Sequence, residues 1–167
     1  MGLPILVDPR KLAIQGKTLK GSVPVTSLSR LASAVNRVCS DAEACLQFET
    51  EDSRTKLVRG TASVNVLAEC QRCLGEVALD IRANFVLQVI ADEVKATNIV
   101  KTRDFWIVED RMASLHYMVE DELLLALAPA NYHELGSCNG DALITHTIES
   151  GSEKSPFEIL KQLIIQP

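Results

Sequence analysis

The chain has 167 residues, 47% of them hydrophobic and 23% charged, a composition that favours one ordered domain over extensive disorder. A net charge of −5 argues against a broad, non-specific nucleic-acid binder, which is normally basic throughout. No apolar run reaches the roughly 18 residues of a membrane span, and Met1 to Pro9 lacks the basic n-region of a signal peptide; the expectation is a cytoplasmic protein with no membrane partner.

The charge divides unevenly. Residues 1–37 hold Arg10, Lys11, Lys17, Lys20, Arg30 and Arg37 against Asp8 alone, while the remainder holds eleven basic and twenty-one acidic residues. Those six cations are candidates for a local partner-binding face, with a merely solvated surface as the alternative.

In chain order, Asp8-Pro9 reads as an N-cap followed by proline at the first helical position, opening a short helix through about Gln15. Lys17 to Val25 reads as extended, with Gly21 and Pro24 keeping the strand away from the sheet centre. Thr26 or Ser27 then caps a helix whose apolar positions Leu28, Leu31, Val35 and Val38 share one face. Ala44 to Glu51 is a short strand, and Glu51-Asp52-Ser53 a polar turn. From Val58 to Ala68 small and branched residues alternate with Thr61, Ser63 and Asn65. Past Gly75 the alternation strengthens, with Val77, Leu79, Ile81, Ala83, Phe85, Leu87 and Val89 on one face and Asp80, Arg82, Asn84 and Gln88 on the other. Period two over such lengths predicts long antiparallel strands with one buried side. They flank Cys70-Gln71-Arg72-Cys73, placing two thiols at a hairpin tip.

Ser114 to Leu127 predicts a third helix, with Leu115, Met118, Val119, Leu123 and Leu127 as its apolar stripe. Residues 139–154 read as a mobile connection. Ser155-Pro156 with Glu158 starts a C-terminal helix over 155–167 through a capping box. The expected fold is α+β: a single domain over 1–167, its antiparallel sheet carrying a long CxxC-tipped hairpin, its helices packed on one face.

The chemistry concentrates in the cysteines. Cys70 and Cys73 are spaced to chelate one tetrahedral metal, and Gly75 suits a knuckle in which the chain turns through positive φ. His133 and Cys138 complete a candidate Cys3His zinc site; a reduced thiol pair with an unrelated histidine is the alternative. Cys39 and Cys45 read as buried small hydrophobes. A thioredoxin-like dithiol needs a helix starting at the pair, and the alternation after Gly75 argues against one. His116 and His146 are unaccompanied. Glu120-Asp121-Glu122 cannot converge on one ion, because helix neighbours diverge by roughly 100°. Glu120 and Asp121 instead read as a solvated face, or as an acidic patch for a basic partner. No nucleophile triad or phosphate loop is visible, and nothing argues for an enzyme.

Glu69-Cys70-Gln71-Arg72-Cys73, together with the block from Met118 to Leu127, resembles the YceD family of large ribosomal RNA subunit accumulation proteins. The resemblance runs from Leu3-Pro4 and Asp8-Pro9 through Leu28-Ser29-Arg30-Leu31 to Ser155-Pro156-Phe157, where the family often has Asn-Pro-Phe. It departs at Leu127-Ala128-Pro129, where the family has Leu-Pro, which bears on the aim of the loop carrying His133. What the resemblance implies is a non-catalytic role in synthesis, processing or stability of large-subunit (23S) ribosomal RNA. Two mechanisms fit: rRNA contact through the six basic residues, or an acidic adaptor holding a basic ribosomal protein. A thiol redox protein using Cys70 and Cys73 is the third reading. Because Arg30 and Arg37 lie off the apolar stripe, reversing their charge is expected to impair function while leaving stability nearly unchanged.

Overall fold

The computed structural model describes residues 1–52, 55–91 and 103–139. The 139–154 connection beyond Asn139, the Ser155-capped helix and His146 therefore lie outside the described residues. Among the described residues no helix is long and apolar enough to cross a membrane.

The first helix, α1 (Pro9–Ile14), follows β1 (Leu6–Val7) and forms as its local signals dictate. The Asp8 carboxylate accepts from the Lys11 N–H at 3.0 Å, and Pro9 fills the first helical position. Gly16, at φ 60°, ends the helix; its N–H donates to the Ala13 carbonyl and the Lys17 N–H to the Leu12 carbonyl. That pair of bonds is a Schellman motif.

β2 (Thr18–Val23) is an edge strand, and Gly21 shows why it suits that place. A β-carbon there would stand 2.3 Å from the Met1 carbonyl oxygen, so glycine admits the segment that lies along this edge. The sheet runs β2, β4 (Ala42–Thr50), β5 (Lys56–Glu69), β6 (Glu76–Ile90), β7 (Asp104–Ile107), with β3 (Arg37–Val38) also paired to β5. All pairs are antiparallel except β6 with β7, which is parallel. The α+β architecture thus carries one parallel edge pair that the alternation in the sequence does not announce.

Register aligns the apolar positions across the sheet: Leu46 faces Gly60 and Gly60 faces Phe85, while Phe48 faces Val58 and Val58 faces Leu87. One-residue slippage would turn that whole set to solvent, so burial fixes the pairing. Against this face pack Ala13 of α1, Leu31 of α2 (Ser29–Ala34) and Leu115, Met118, Val119 and Leu123 of α3 (Leu115–Ala126). Fully burying each large side chain of this set is worth roughly 1.5–3 kcal/mol. The opposite face presents Lys20, Glu43, Cys45, Thr61, Ser63, Arg82 and Asn84 around an open groove.

The helix expected from Leu28 to Val38 is shorter. Val25–Ser27 is a 3-10 turn, α2 stops at Ala34, Val35 is extended, and Val38 lies in β3 opposite Val66. Helical spacing of four apolar residues gave way to strand pairing with a distant partner. Nor does Thr26 or Ser27 cap α2, whose N-terminal residue Leu28 has no capping side chain. The capping oxygen comes from α3. Oε1 of Glu120 accepts from the N–H groups of Arg30 and Leu31 at 2.8 and 3.1 Å, the donors an N-cap side chain would satisfy.

Candidate metal centre

β5 and β6 pair up to Glu69 and Glu76, leaving residues 70–75 as the hairpin tip. The Cys70 N–H donates to the Gly75 carbonyl and the Leu74 N–H to the Cys70 carbonyl, both at 2.8 Å, closing a tight turn. The residue with positive φ is Leu74, at 58°, not Gly75 as the spacing suggests. Gly75 serves closeness instead: a β-carbon there would lie 3.5 Å from Cys73 Sγ and 4.0 Å from the His133 ring.

After α3, the chain returns beside the tip. The Gln71 N–H donates to the Asn131 carbonyl at 2.8 Å, and the Arg72 guanidinium donates to the His133 carbonyl and stacks on Tyr132. These contacts bring Cys70, Cys73, His133 and Cys138 together, with every ligand atom within 4.8 Å of the others. With proline at position 129, α3 ends at Ala126 and His133 reaches the thiols.

The spacing can be compared with that of a zinc tetrahedron. Sulfurs about 2.3 Å and an imidazole nitrogen about 2.0–2.1 Å from zinc give edges of roughly 3.8 Å between sulfurs and 3.6 Å between sulfur and nitrogen. Cys70 Sγ lies 3.8 Å from Cys138 Sγ, and Cys73 Sγ 3.4 Å from His133 Nδ1. The imidazole is also oriented for ligation. His133 Nε2 is 3.0 Å from the Glu76 carbonyl, so it donates there and leaves the Nδ1 lone pair facing the sulfurs. Burial pushes the Cys70 thiol up, but the N–H groups of Cys73, Arg72 and His133 and the Cys73 thiol together bring it down to about 5. Those amides favour thiolate, the form that binds metal. The four residues present thus fit a zinc ion. Ala68 and Val77 close a small apolar cluster beneath it.

As a redox dithiol the pair is poorly placed. It occupies a turn between two strands, and no helix starts at it to stabilise a nucleophilic thiolate. The other cysteines are not the buried hydrophobes expected: Cys39 is exposed and Cys45 half-buried on the open sheet face. His116 is buried, its Nε2 3.0 Å from the Leu3 carbonyl.

The six basic candidates do not gather on one face. Arg10 is half-buried and donates to the carbonyls of Ile90, Val108 and Asp110. Arg30 binds Glu120 Oε2 at 3.0 Å and Asp121 Oδ1 at 2.6 Å. Lys11 and Lys17 line a groove floored by Leu6, Leu12, Leu19 and Met112, and Arg111 joins them there. Lys20 stands on the open sheet face, and Arg37 is exposed on β3. Arg111 went unnoticed in the sequence because it lies in the acidic part of the chain; its guanidinium binds Asp8 at 3.0 Å.

Glu120 is not part of a solvated acidic face. It is 1% exposed, held in the core by Arg30 and by the N–H groups of α2. A charge so placed persists only when paired and hydrogen-bonded. Asp121 is exposed but engaged by the same arginine. Leu28-Ser29-Arg30-Leu31 and Glu120-Asp121, two blocks of the resemblance, are therefore two halves of one contact.

This arrangement defines a class: a small α+β protein whose sheet carries a thiol-and-imidazole knuckle at the end of its longest hairpin. A family model described as Large ribosomal RNA subunit accumulation protein YceD matches residues 58–164, and the chain belongs to that family. It is 29% identical over 171 residues to the Large ribosomal RNA subunit accumulation protein YceD of Haemophilus influenzae, covering 96% of this chain and 95% of the relative. No solved structure matches it.

Proposed function

We propose that the chain is a non-catalytic cytoplasmic factor that supports accumulation of large-subunit ribosomal RNA by binding that RNA or an assembly intermediate. Its membership of the YceD family supports the role. The observation that carries the mode of contact is the groove where Lys11, Lys17 and Arg111 converge. Lys11 and Lys17 are exposed and make no ion pair among the described residues, so both ammonium groups are available to phosphate. Lys20 on the open sheet face and Arg37 on β3 stand apart from this groove. Arg10 and Arg30 act in the fold.

The knuckle has a structural part in this reading. A zinc ion held by Cys70, Cys73, His133 and Cys138 would lock the hairpin tip to the segment after α3, coupling metal binding to local folding. Purification without chelator should return about one equivalent of zinc, and less than about a tenth would remove the metal from the proposal.

The RNA contact is tested by titrating large-subunit rRNA at several salt concentrations. Phosphate contacts predict affinity falling steeply with salt, by a log–log slope of roughly −0.7 to −0.9 per contact. Lys11→Glu with Lys17→Glu should weaken binding and flatten the slope by about two contacts. Salt-insensitive binding, or none, would overturn the RNA reading.

A further inference from the structure

The knuckle presents more large apolar side chains on its outside than its own packing uses. Leu74 is 70% exposed and Leu135 87% exposed, and Tyr132 is exposed beneath the Arg72 guanidinium. All three are within two residues of a ligand of the cluster. Beside the tip, a groove of about 490 Å³ opens between the ends of α2 and α3, lined by Leu124, Leu127 and Pro129 with Glu69 among its residues. Leu125, 79% exposed, projects from the same end of α3. Scattered exposed leucines are ordinary; here Leu74 and Leu135 each lie within two residues of a ligand, and Gln71 and Asn131 of the same two segments line the groove.

Leu74 adds a second observation. It holds a left-handed backbone conformation that glycine adopts freely and leucine adopts at a cost. Its side chain, 70% exposed, gains little burial inside the protein in return.

Among the described residues the charge near the tip is mainly negative, its cations being Arg72 and, opposite Leu67 on β3, Arg37. Glu69, Glu76 and Glu134 are exposed, and their carboxylates make no ion pair among the described residues. The guanidinium of Arg72 is directed to the His133 carbonyl. Three thiolates around one divalent ion would add a further net negative charge. Such a surface repels a phosphate backbone and attracts lysine and arginine.

We infer that this end of the molecule docks a lysine- or arginine-rich protein segment. The partner seats an apolar side chain against Leu74, Leu135 and the neighbouring groove, while its cations meet Glu69, Glu76 and Glu134. The inference rests on the assembly role proposed above only for where such a basic protein is encountered. It moves the acidic contact surface from Glu120 and Asp121, which the fold engages, to the knuckle.

A photoreactive leucine analogue at position 135, in the full chain and in cells, tests it. The expected adduct is with another protein, through a linked peptide rich in lysine and arginine. Its yield should fall at least about tenfold with Leu74→Gly, and likewise with Glu69→Lys plus Glu134→Lys. Leu74→Gly is chosen because it relieves the backbone; the thermal midpoint should be no lower than wild type and zinc content unchanged. An adduct with RNA, with a second copy of this chain or with an acidic peptide would overturn the inference. So would a yield indifferent to these variants, or no adduct. Leu74→Gly should leave rRNA affinity and its salt slope unaltered, so this surface and the lysine groove fail separately.

Discussion

The ring of Phe85 occupies the space that a side chain at Gly60 would need. The two residues are register partners on β6 and β5, and a β-carbon at Gly60 would stand 2.2 Å from Phe85 Cε2 and Cζ and 2.9 Å from a Leu46 methyl. Gly60→Ala should therefore destabilise the protein by about 1–3 kcal/mol through overpacking. Adding Phe85→Leu should recover part of that loss, because the smaller side chain vacates the contact. Denaturant midpoints of the two single variants and the double variant measure the coupling; strict additivity would show that the two side chains do not compete.

Arg30 is the counter-charge to a carboxylate that water does not reach. Arg30→Ala should cost about 2 kcal/mol, less than for a fully enclosed pair because the arginine side chain is 43% exposed. Arg37→Ala, on an exposed side chain, should change stability by less than about 0.5 kcal/mol. The two arginines, alike in the sequence, are thus predicted to separate. Glu120→Gln in the Arg30→Ala background should restore part of the loss by removing the stranded charge. Equal and small effects at both positions would show that Glu120 is satisfied without Arg30.

Glu122 gives a pH dependence of definite sign. Burial pushes its carboxyl up, and the nearby carboxylates of Asp104 and Asp121 push it further in the same direction. The folded state then holds this proton more tightly than the unfolded chain does. The resulting penalty is present above the folded pKa and absent below the ordinary glutamate value of about 4.3. Glu122→Gln should raise stability at neutral pH by less than about 1 kcal/mol, since water screens a half-exposed group. Near pH 3.5, roughly a unit below that value, it should change nothing. An equal gain at both pH values would point to packing instead of charge.

The Cys70 thiol runs the other way. Its folded value is lowered to about 5, so the bound N–H groups stabilise the folded chain once the unfolded thiol is also ionised. That contribution is complete above the unfolded thiol value, about 8.5, and is lost progressively as pH falls toward 5. In metal-free protein, thiolate absorbance should persist through neutral pH and vanish near pH 5, and Cys70→Ala should remove that step. A titration confined to the ordinary thiol range would show that the amides do not hold the sulfur ionised.

How much of this was legible in the sequence depended on how far away each signal lay. The first helix was readable because Asp8, Pro9 and Gly16 act within their own turn. The hairpin was readable because period two extends over more than twenty residues of β5 and β6. Val38 misled because its helical spacing was local while its partner on β5, Val66, was not. Asp104–Ile107, four residues long, is too short for periodicity to register. Glu120 looked solvated because its cation is ninety positions away, and no run of acids discloses which member turns inward. At the knuckle the ligand types were plain, yet the turn placed its positive φ on Leu74, one residue before the glycine that suggested it.

The separation of Cys138 from Cys70, sixty-eight positions along the chain, sets an order on how the protein is made. At about 5–20 residues per second, the two hairpin thiols exist together for roughly 3–13 seconds before the last cysteine of the cluster is synthesised. Until His133 is made the tip holds at most a bidentate chelate, open to solvent and to exchange. A nascent chain released before Cys138 can form the hairpin but cannot close the knuckle. Closure of the cluster is thus a chemical signature that translation has passed α3.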